Sequence, residues 1–202
     1  MSSASLIYKN PHVYELLMRT LYGRHYVDRM RAVAEQVPQG SSVLELCCGP
    51  GTLYNRFLRG KTSSYIGVDV NERFVSDLRK DGIDARRIDL ADDDQPLPPA
   101  ETVMMQASLY HFLPHAERVL ERMLDAATER VIISEPIRNL ASSNLPIIGA
   151  VGQRAADPGV GGHADRFDEA TLDQLMSPYR ELVTTSFQIP GGREKVYVLR
   201  AR

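Results

Sequence analysis

The sequence predicts an α/β fold in which a mostly parallel sheet is covered by helices on both faces and closed by an antiparallel hairpin. Two observations carry this. From Ser42 onward, short apolar runs of strand length alternate with segments of helical period, and the chain ends in two β-like runs joined by Pro190-Gly191-Gly192. Strands of a parallel sheet are buried on both faces, so they read as continuous apolar runs rather than as alternating ones. With 202 residues, 43% of them hydrophobic, the chain can bury one substantial core, and a single domain over residues 1–202 is expected.

Two helical pieces precede the first strand. Asn10-Pro11 reads as an N-cap and first helical position, followed by Tyr14, Leu17, Met18 and Leu21. After Gly23, a second piece places Val27, Met30, Val33, Ala34 and Val37 on one side and ends at Pro38-Gln39-Gly40. Together these make an N-terminal helical cap over residues 1–40. Five strands are then expected in the core over residues 41–136: Val43 to Cys48, Tyr65 to Val70, Ala85 to Leu90, Val103 to Ala107 and Val131 to Ser134. Between them, Leu53, Phe57 and Leu58 precede Gly60, and Asn71 caps a segment holding Phe74, Val75 and Leu78 that stops at Gly82. Val119, Leu120, Met123, Leu124 and Ala127 follow Pro114 as a third helical pattern, while the acidic, Pro-rich connection from Ala91 to Ala100 predicts little helix.

The alternation breaks after Pro136. Residues 137–167 form a long insertion rich in Gly, Pro and Ser, and such connections in compact domains serve as functional covers or stay without structure of their own. A lid role for it, shared with the Tyr-rich N-terminal segment, is the expectation. Residues 168–202 supply a short helix capped by Asp168, with Leu172, Leu175 and Met176, and then the hairpin of Leu182 to Ile189 and Lys195 to Leu199. That brings the expected strand number to seven.

Charge narrows the partners. Lys and Arg number 24 against 26 Asp and Glu, which gives none of the positive excess that non-specific nucleic-acid or anionic-membrane binding draws on. No stretch approaches the ~20 apolar residues of a membrane span, and the N-terminus lacks a basic region followed by an apolar one. A cytoplasmic location, no membrane partner and a small-molecule substrate are the expectations, and a homodimer is compatible with them. The adjacent pair Cys47-Cys48 is expected to be reduced and buried, since its spacing neither staples loops nor binds zinc.

Chemistry concentrates where the first strand pattern ends. Glu45-Leu46-Cys47-Cys48-Gly49-Pro50-Gly51-Thr52-Leu53 runs a strand into a Gly-rich turn that opens a helix, letting backbone approach a ligand with no Cβ in the way. Asp69 follows at the end of the next strand pattern, where a carboxylate can accept hydrogen bonds from a ribose diol. Turn and acid in this order point to a nucleoside-type cofactor. A dinucleotide fingerprint read from Gly49 and Gly51 would require a glycine or alanine where Tyr54 stands, which disfavours NAD or FAD.

On these residues the sequence resembles the class I S-adenosylmethionine-dependent methyltransferases, whose first motif is an acid followed by glycines at alternate positions. Glu45, Gly49 and Gly51 match it, and Cys47 departs from it by standing where the first glycine would be. The resemblance runs in element order from Val43 to the C-terminus and implies a Rossmann-like three-layer sandwich with a seven-stranded sheet and S-adenosylmethionine as cofactor. It implies a cofactor site of Glu45, Cys47, Gly49, Pro50 and Gly51, with Asp69 and Val70 at the ribose, Asp89 and Leu90 near the adenine, and Gln106, Ala107 and Ser108 beside the methionine moiety. The run Ser108-Leu109-Tyr110-His111-Phe112-Leu113-Pro114 is similar to the apolar-His-apolar segment common after the fourth strand of that family.

The implied reaction is in-line transfer of a methyl group to an O, N or C atom of a small acceptor. If the acceptor is a hydroxyl, a histidine would help by taking its proton, and His111 and His163 are the candidates, against a structural role for each. His12 and His25, flanked by Tyr8, Tyr14, Tyr22 and Tyr26, belong to a segment that either shapes the acceptor pocket or simply covers the sheet. Asp92-Asp93-Asp94 reads as a solvated loop rather than a metal site, because hard cations need oxygens that converge in space. Two other readings stay open: a catalytically silent cofactor-binding module, and a nucleic-acid methyltransferase. Gln106-Ala107-Ser108-Leu109 in place of an Asn/Asp-Pro-Pro-aromatic motif counts against the latter.

Overall fold

The computed structural model describes residues 25–138 and 166–202, and all that follows concerns those residues. They contain seven strands: β1 Ser42–Leu46, β2 Ser64–Asp69, β3 Ala85–Arg87, β4 Ala100–Gln106, β5 Ala127–Pro136, β6 Val183–Gln188 and β7 Glu194–Arg200. These form one sheet in the order β3-β2-β1-β4-β5-β7-β6. Every pairing from β3 to β5 is parallel, and β7 runs antiparallel to both β5 and β6. The helices are α1 His25–Ala34, α2 Glu72–Lys80, α3 Ala116–Ala126 and α4 Glu169–Met176.

Strand side chains alternate between two apolar clusters, one on each face. Leu44, Leu46, Val103, Met105, Val131, Ile133 and Leu199 pack with α3 and α4 through Leu120, Met123 and Leu172. Their chain neighbours Val43, Met104, Ile132, Val196 and Val198 pack instead with α1 and α2 through Met30, Val33, Val75 and Leu78. Period-two alternation into two dry layers is what makes the sheet the middle of a sandwich. Fully burying one such side chain contributes roughly 1.5–3 kcal/mol, so the central strands set the stability.

The predicted caps at Asn71 and Asp168 form, while the Asn10 cap lies outside the described residues. Asn71 accepts the Arg73 N–H at 3.0 Å, with Glu72 in the first turn of α2 and Arg79 and Lys80 in the last, matching the helix dipole. Asp168 and Thr171 close a reciprocal capping box on α4, at 2.8 Å and 3.0 Å.

Strand ends differ where polar residues interrupt the apolar pattern. β4 starts at Ala100, ahead of the expected Val103, because Glu101 accepts the Ser42 hydroxyl at 2.9 Å and the buried Thr102 hydroxyl meets that of Ser41 at 2.9 Å. β5 begins at Ala127, directly against the end of α3, and continues to Pro136. β3 stops at Arg87, since Asp89 folds back to accept the Ala91 N–H at 2.9 Å. The helical segment after Gly51 widens into a π turn over Tyr54–Leu58, closed by the Arg59 N–H on the Tyr54 carbonyl at 2.8 Å. That wider turn brings Leu53 and Leu58, five apart, into the same apolar layer.

α1 is tied to the far end of the sheet by a buried ion pair. Glu194, at the start of β7, accepts from Arg29 and from the Ser134 hydroxyl at 3.1 Å. A buried charge left single is costly, so this pair fixes how α1 sits against β5 and β7. The first predicted helix, around Tyr14, and residues 139–165 of the insertion, with its lid role, lie outside the described residues.

Candidate active site

The sheet order reverses between β1 and β4, with β2 and β3 stepping away on one side of β1 and β4 starting the other half. In open α/β sheets a crevice forms at such a point beyond the carboxyl ends of the strands. Here β1 ends in the Gly-rich turn. Cys47, Gly49 and Gly51 all have positive φ, at 54°, 56° and 70°. Three left-handed residues at alternate positions coil the backbone tightly, the conformation the glycine pattern serves, and Cys47 adopts it despite its side chain. The two glycines have different reasons. A Cβ on Gly51 would stand 2.6 Å from the Leu78 side chain, so this glycine lets α2 pack close. Around a Cβ on Gly49 nothing among the described residues lies within 4 Å, so the bare backbone there faces open space.

Asp69, at the end of β2, closes over this turn. One carboxylate oxygen accepts the Gly49 N–H at 2.8 Å and the other the Asn71 N–H at 2.8 Å. A carboxylate has about four acceptor positions, so the backbone donors leave capacity for a ligand's hydroxyl. Burial raises the Asp69 carboxyl, and the N–H groups of Asn71, Gly49 and Val70 hold it back down. Beside it Val70 is 39% exposed, the large apolar side chain most open to solvent among the described residues.

Glu45 lies beneath, 5% exposed, and accepts the Tyr65 hydroxyl at 2.7 Å. Tyr65 reaches it across Gly67, the residue paired with Glu45 in the sheet, where a Cβ would stand 3.1 Å from the Tyr65 oxygen. Burial pushes the Glu45 carboxyl up to about 7 from 4.5, with the Tyr65 bond opposing and the Asp69 charge adding. A folded-state value above the unfolded one makes the charged form costly in the fold. The stabilisation is therefore complete below about 4.5 and is lost as pH rises through about 7. Replacing Glu45 by Gln keeps an oxygen for Tyr65 and is expected to remove about 3 kcal/mol of that loss. Urea denaturation of the ligand-free protein at pH 5 and pH 8 checks it, and identical pH profiles for the two proteins would show that Glu45 does not titrate there.

A second turn meets the first from β4. Ala107 is also left-handed, with φ 52°, and donates its N–H to the Ser134 carbonyl at 2.7 Å. The following N–H groups, of Ser108 and Leu109, both donate to one oxygen of Glu135 at 2.8 Å. Glu135 is fully buried, and its other oxygen has no hydrogen-bond partner among the described residues. Burial pushes its carboxyl up to about 7, against the Leu109 and Ser108 bonds, and the charge of Glu194 adds to the rise. Sequence reasoning missed Glu135 because the apolar run Val131 to Ser134 stops one residue short of it. A lone acid closing a buried strand was the signal, the same one that singles out Asp69.

The remaining candidates are distributed around these two turns. Pro50 sits between Gly49 and Gly51 and is half-buried. Burial drives the Cys47 thiol far above its ordinary range, with Asp69 adding, which leaves it a filler and not a nucleophile. The Gln106 side chain turns away from the crevice to the Arg29 carbonyl at 3.2 Å and to Glu194 at 3.5 Å. Asp89 is exposed at the end of β3, and the Leu90 side chain joins the core. His111 lies in a short 3-10 turn, Leu109–Phe112, with its ring 4.1 Å from that of Tyr110. His163 lies outside the described residues. Asp93 faces Arg118 and Arg122 at 3.8 Å, and Asp92 accepts from Gln95 at 2.7 Å, so two acids of the acidic loop are engaged locally.

Residues 43–129 match a family described as a methyltransferase domain. No curated protein matches the sequence. Among solved structures, the chain is similar to a magnesium protoporphyrin IX methyltransferase from Synechocystis PCC 6803 with bound S-adenosylhomocysteine, at 17% identity and TM-score 0.64 over 96% of this chain and 97% of that one. It is also similar to an S-adenosylmethionine-dependent methyltransferase of Thermotoga maritima, titled a possible histamine N-methyltransferase, at 16% identity and TM-score 0.68 over 98% of each chain. A third likeness is to a structure from Haloferax volcanii in which a putative methyltransferase is in complex with the Trm112 methyltransferase activator, at 12% identity and TM-score 0.69 over 100% of this chain and 98% of that one.

Proposed function

We propose that this chain is a class I S-adenosylmethionine-dependent methyltransferase, with S-adenosylmethionine as cofactor, and that it methylates an O, N or C atom of a small-molecule acceptor held beside the β4 and β5 ends of the sheet. The observation that supports this placement is the pair of left-handed turns at Cys47–Gly51 and Ala107, which face the crevice at the reversal of strand order. The acceptor is read as small because the overall charge of -2 offers no field for a polyanion, and among the described residues no helix is long and apolar enough to cross a membrane.

In this reading the bare backbone of Gly49, with Cys47, Pro50 and Gly51, forms the floor under the cofactor. Asp69 accepts the ribose hydroxyls, Val70 covers one face of the adenine, and Asp89 and Leu90 line its far edge. Ala107 and Ser108 lie beside the methionine moiety, joined by Gln106 through its backbone. Glu45 and Tyr65 hold β1 and β2 together beneath the turn. When bound, the cofactor supplies a methyl group already activated on a sulfonium. What the protein adds is alignment, which contributes roughly 7–11 kcal/mol when the reacting atoms are held in near-attack geometry. His111 is the proton acceptor to examine first if the acceptor atom is a hydroxyl oxygen.

Methyl-labelled cofactor incubated with the protein and pools of small molecules tests the proposal. Label appearing in a low-mass product, with stoichiometric S-adenosylhomocysteine, is expected. Binding of cofactor without turnover would favour a regulatory module, and label entering nucleic acid would contradict the small-molecule reading.

A further inference from the structure

Resting on that reading, we infer that the acceptor carries an anionic group, a carboxylate or a phosphate, and that Arg166 receives it at the end of β5 with Arg138 beside it. Arg166 enters just before α4, and its guanidinium carbon lies 3.5 Å from the ring centroid of Tyr110, in the turn that follows β4. Over the ring the guanidinium also donates to the Tyr110 hydroxyl, and with five N–H groups it has donors left for a planar partner such as carboxylate or phosphate. Arg138 stands two residues beyond β5, its guanidinium 3.5 Å from where a Cβ on Gly192 would be, at the β6–β7 turn. The two arginines thus flank the end of β5, one toward β4 and one toward β7.

Neither has an acidic partner among the described residues, and the acids nearby are committed elsewhere. Glu135 takes the Ser108 and Leu109 N–H groups, and Glu194 takes Arg29 and Ser134. Asp168 caps α4, while Glu169 and Asp173 both take Lys195, at 3.0 Å and 2.7 Å. Elsewhere the chain places acids against its arginines, as with Arg202 on Glu121 and Arg86 on Asp84. Two cations that meet no acid among the described residues beside the proposed reacting edge, one of them half-buried, favour an anion that arrives with the substrate. Glu135 lies close by, but burial holds its carboxyl at about 7, so it carries only part of its charge at neutral pH and opposes that anion weakly.

The test uses protein saturated with S-adenosylhomocysteine and three matched ligand sets: aromatic and aliphatic carboxylates, phosphate monoesters of the same skeletons, and the corresponding neutral amides or alcohols. Calorimetry is expected to show binding by one anionic set, falling with added salt, and none by its neutral counterparts. Arg166→Gln should weaken that binding by about tenfold or more and Arg138→Gln by severalfold, with S-adenosylhomocysteine affinity unchanged in both. Arg166→Lys should recover part of the loss, as a charge without the planar fork. If Arg166→Gln fails to fold, the exposed Arg138 variant decides alone. Equal binding by neutral ligands, anion binding indifferent to the replacements, or no binding by any anion in the sets would overturn the inference. Failure of S-adenosylhomocysteine itself to bind would instead overturn the methyltransferase reading beneath it.

Discussion

Replacing Asp69 with alanine is expected to weaken S-adenosylmethionine binding about ten- to a hundredfold, the equivalent of ~1.5 to 3 kcal/mol for hydrogen bonds to a charged acceptor. The effect has two sources. In the proposed site the ribose loses its acceptor, and the Gly49 and Asn71 N–H groups, each at 2.8 Å from the carboxylate, lose theirs, so the turn beneath the proposed cofactor position loosens as well. Asp69→Asn keeps an oxygen for one of those N–H groups and should fall between alanine and the parent. Isothermal calorimetry on variants with an unchanged far-ultraviolet spectrum measures this. A dissociation constant for Asp69→Ala equal to the parent's would show that the carboxylate does not meet the ribose.

The second large effect belongs to Glu135. Its removal by alanine strands the buried Leu109 N–H, which costs about 1–3 kcal/mol when unsatisfied, leaves the part-buried Ser108 N–H without its acceptor, and opens a cavity at the end of β5. A loss of roughly 3–5 kcal/mol in stability is expected. Turnover should drop about a hundredfold beyond any loss of folded protein, because the Ala107–Leu109 turn no longer holds its position against the reacting groups. Glu135→Gln retains a carbonyl oxygen for both N–H groups and should keep most of the stability and turnover at neutral pH, where burial has already brought the carboxyl close to half-protonated, at about 7. Denaturation midpoints and single-turnover rates for the two variants separate the contributions. Equal damage from Gln and Ala would show that the charge, and not the acceptor geometry, is what the turn requires.

The sheet was legible because the central strands are largely buried, which leaves short, mostly apolar runs such as Val43 to Cys48 and Val131 to Ser134. Its strand order was not. Order depends on which apolar faces meet, a property of pairs of segments that no single run displays. Strand ends blurred where a polar residue is satisfied inside the sheet, as Thr102 is by Ser41. The turn after β1 was legible in full, since positive φ at Gly49 and Gly51 is a local demand that glycine meets. Cys47 in the same conformation shows that the backbone pattern survives a departure in sequence.

Side-chain direction was the weak point. Gln106 stands where the chain suggested a cofactor contact, yet its amide serves Glu194 and the Arg29 carbonyl, partners 88 and 77 positions away. The buried Glu194 pair with Arg29 was likewise invisible, because an acid next to Lys195 in a terminal hairpin reads as surface until α1 is laid against it. Tyr65 looked like one more apolar strand residue, and only its hydroxyl on Glu45 reveals its part in the site.

The most direct test of the account is a crystal structure with S-adenosylhomocysteine bound. The account predicts the ribose hydroxyls within hydrogen-bonding distance of the Asp69 carboxylate, the backbone of Gly49 against the ligand, and the homocysteine portion beside Ala107 and Ser108. Ligand density lying away from the ends of β1, β2 and β4, or with its ribose out of reach of Asp69, would contradict it.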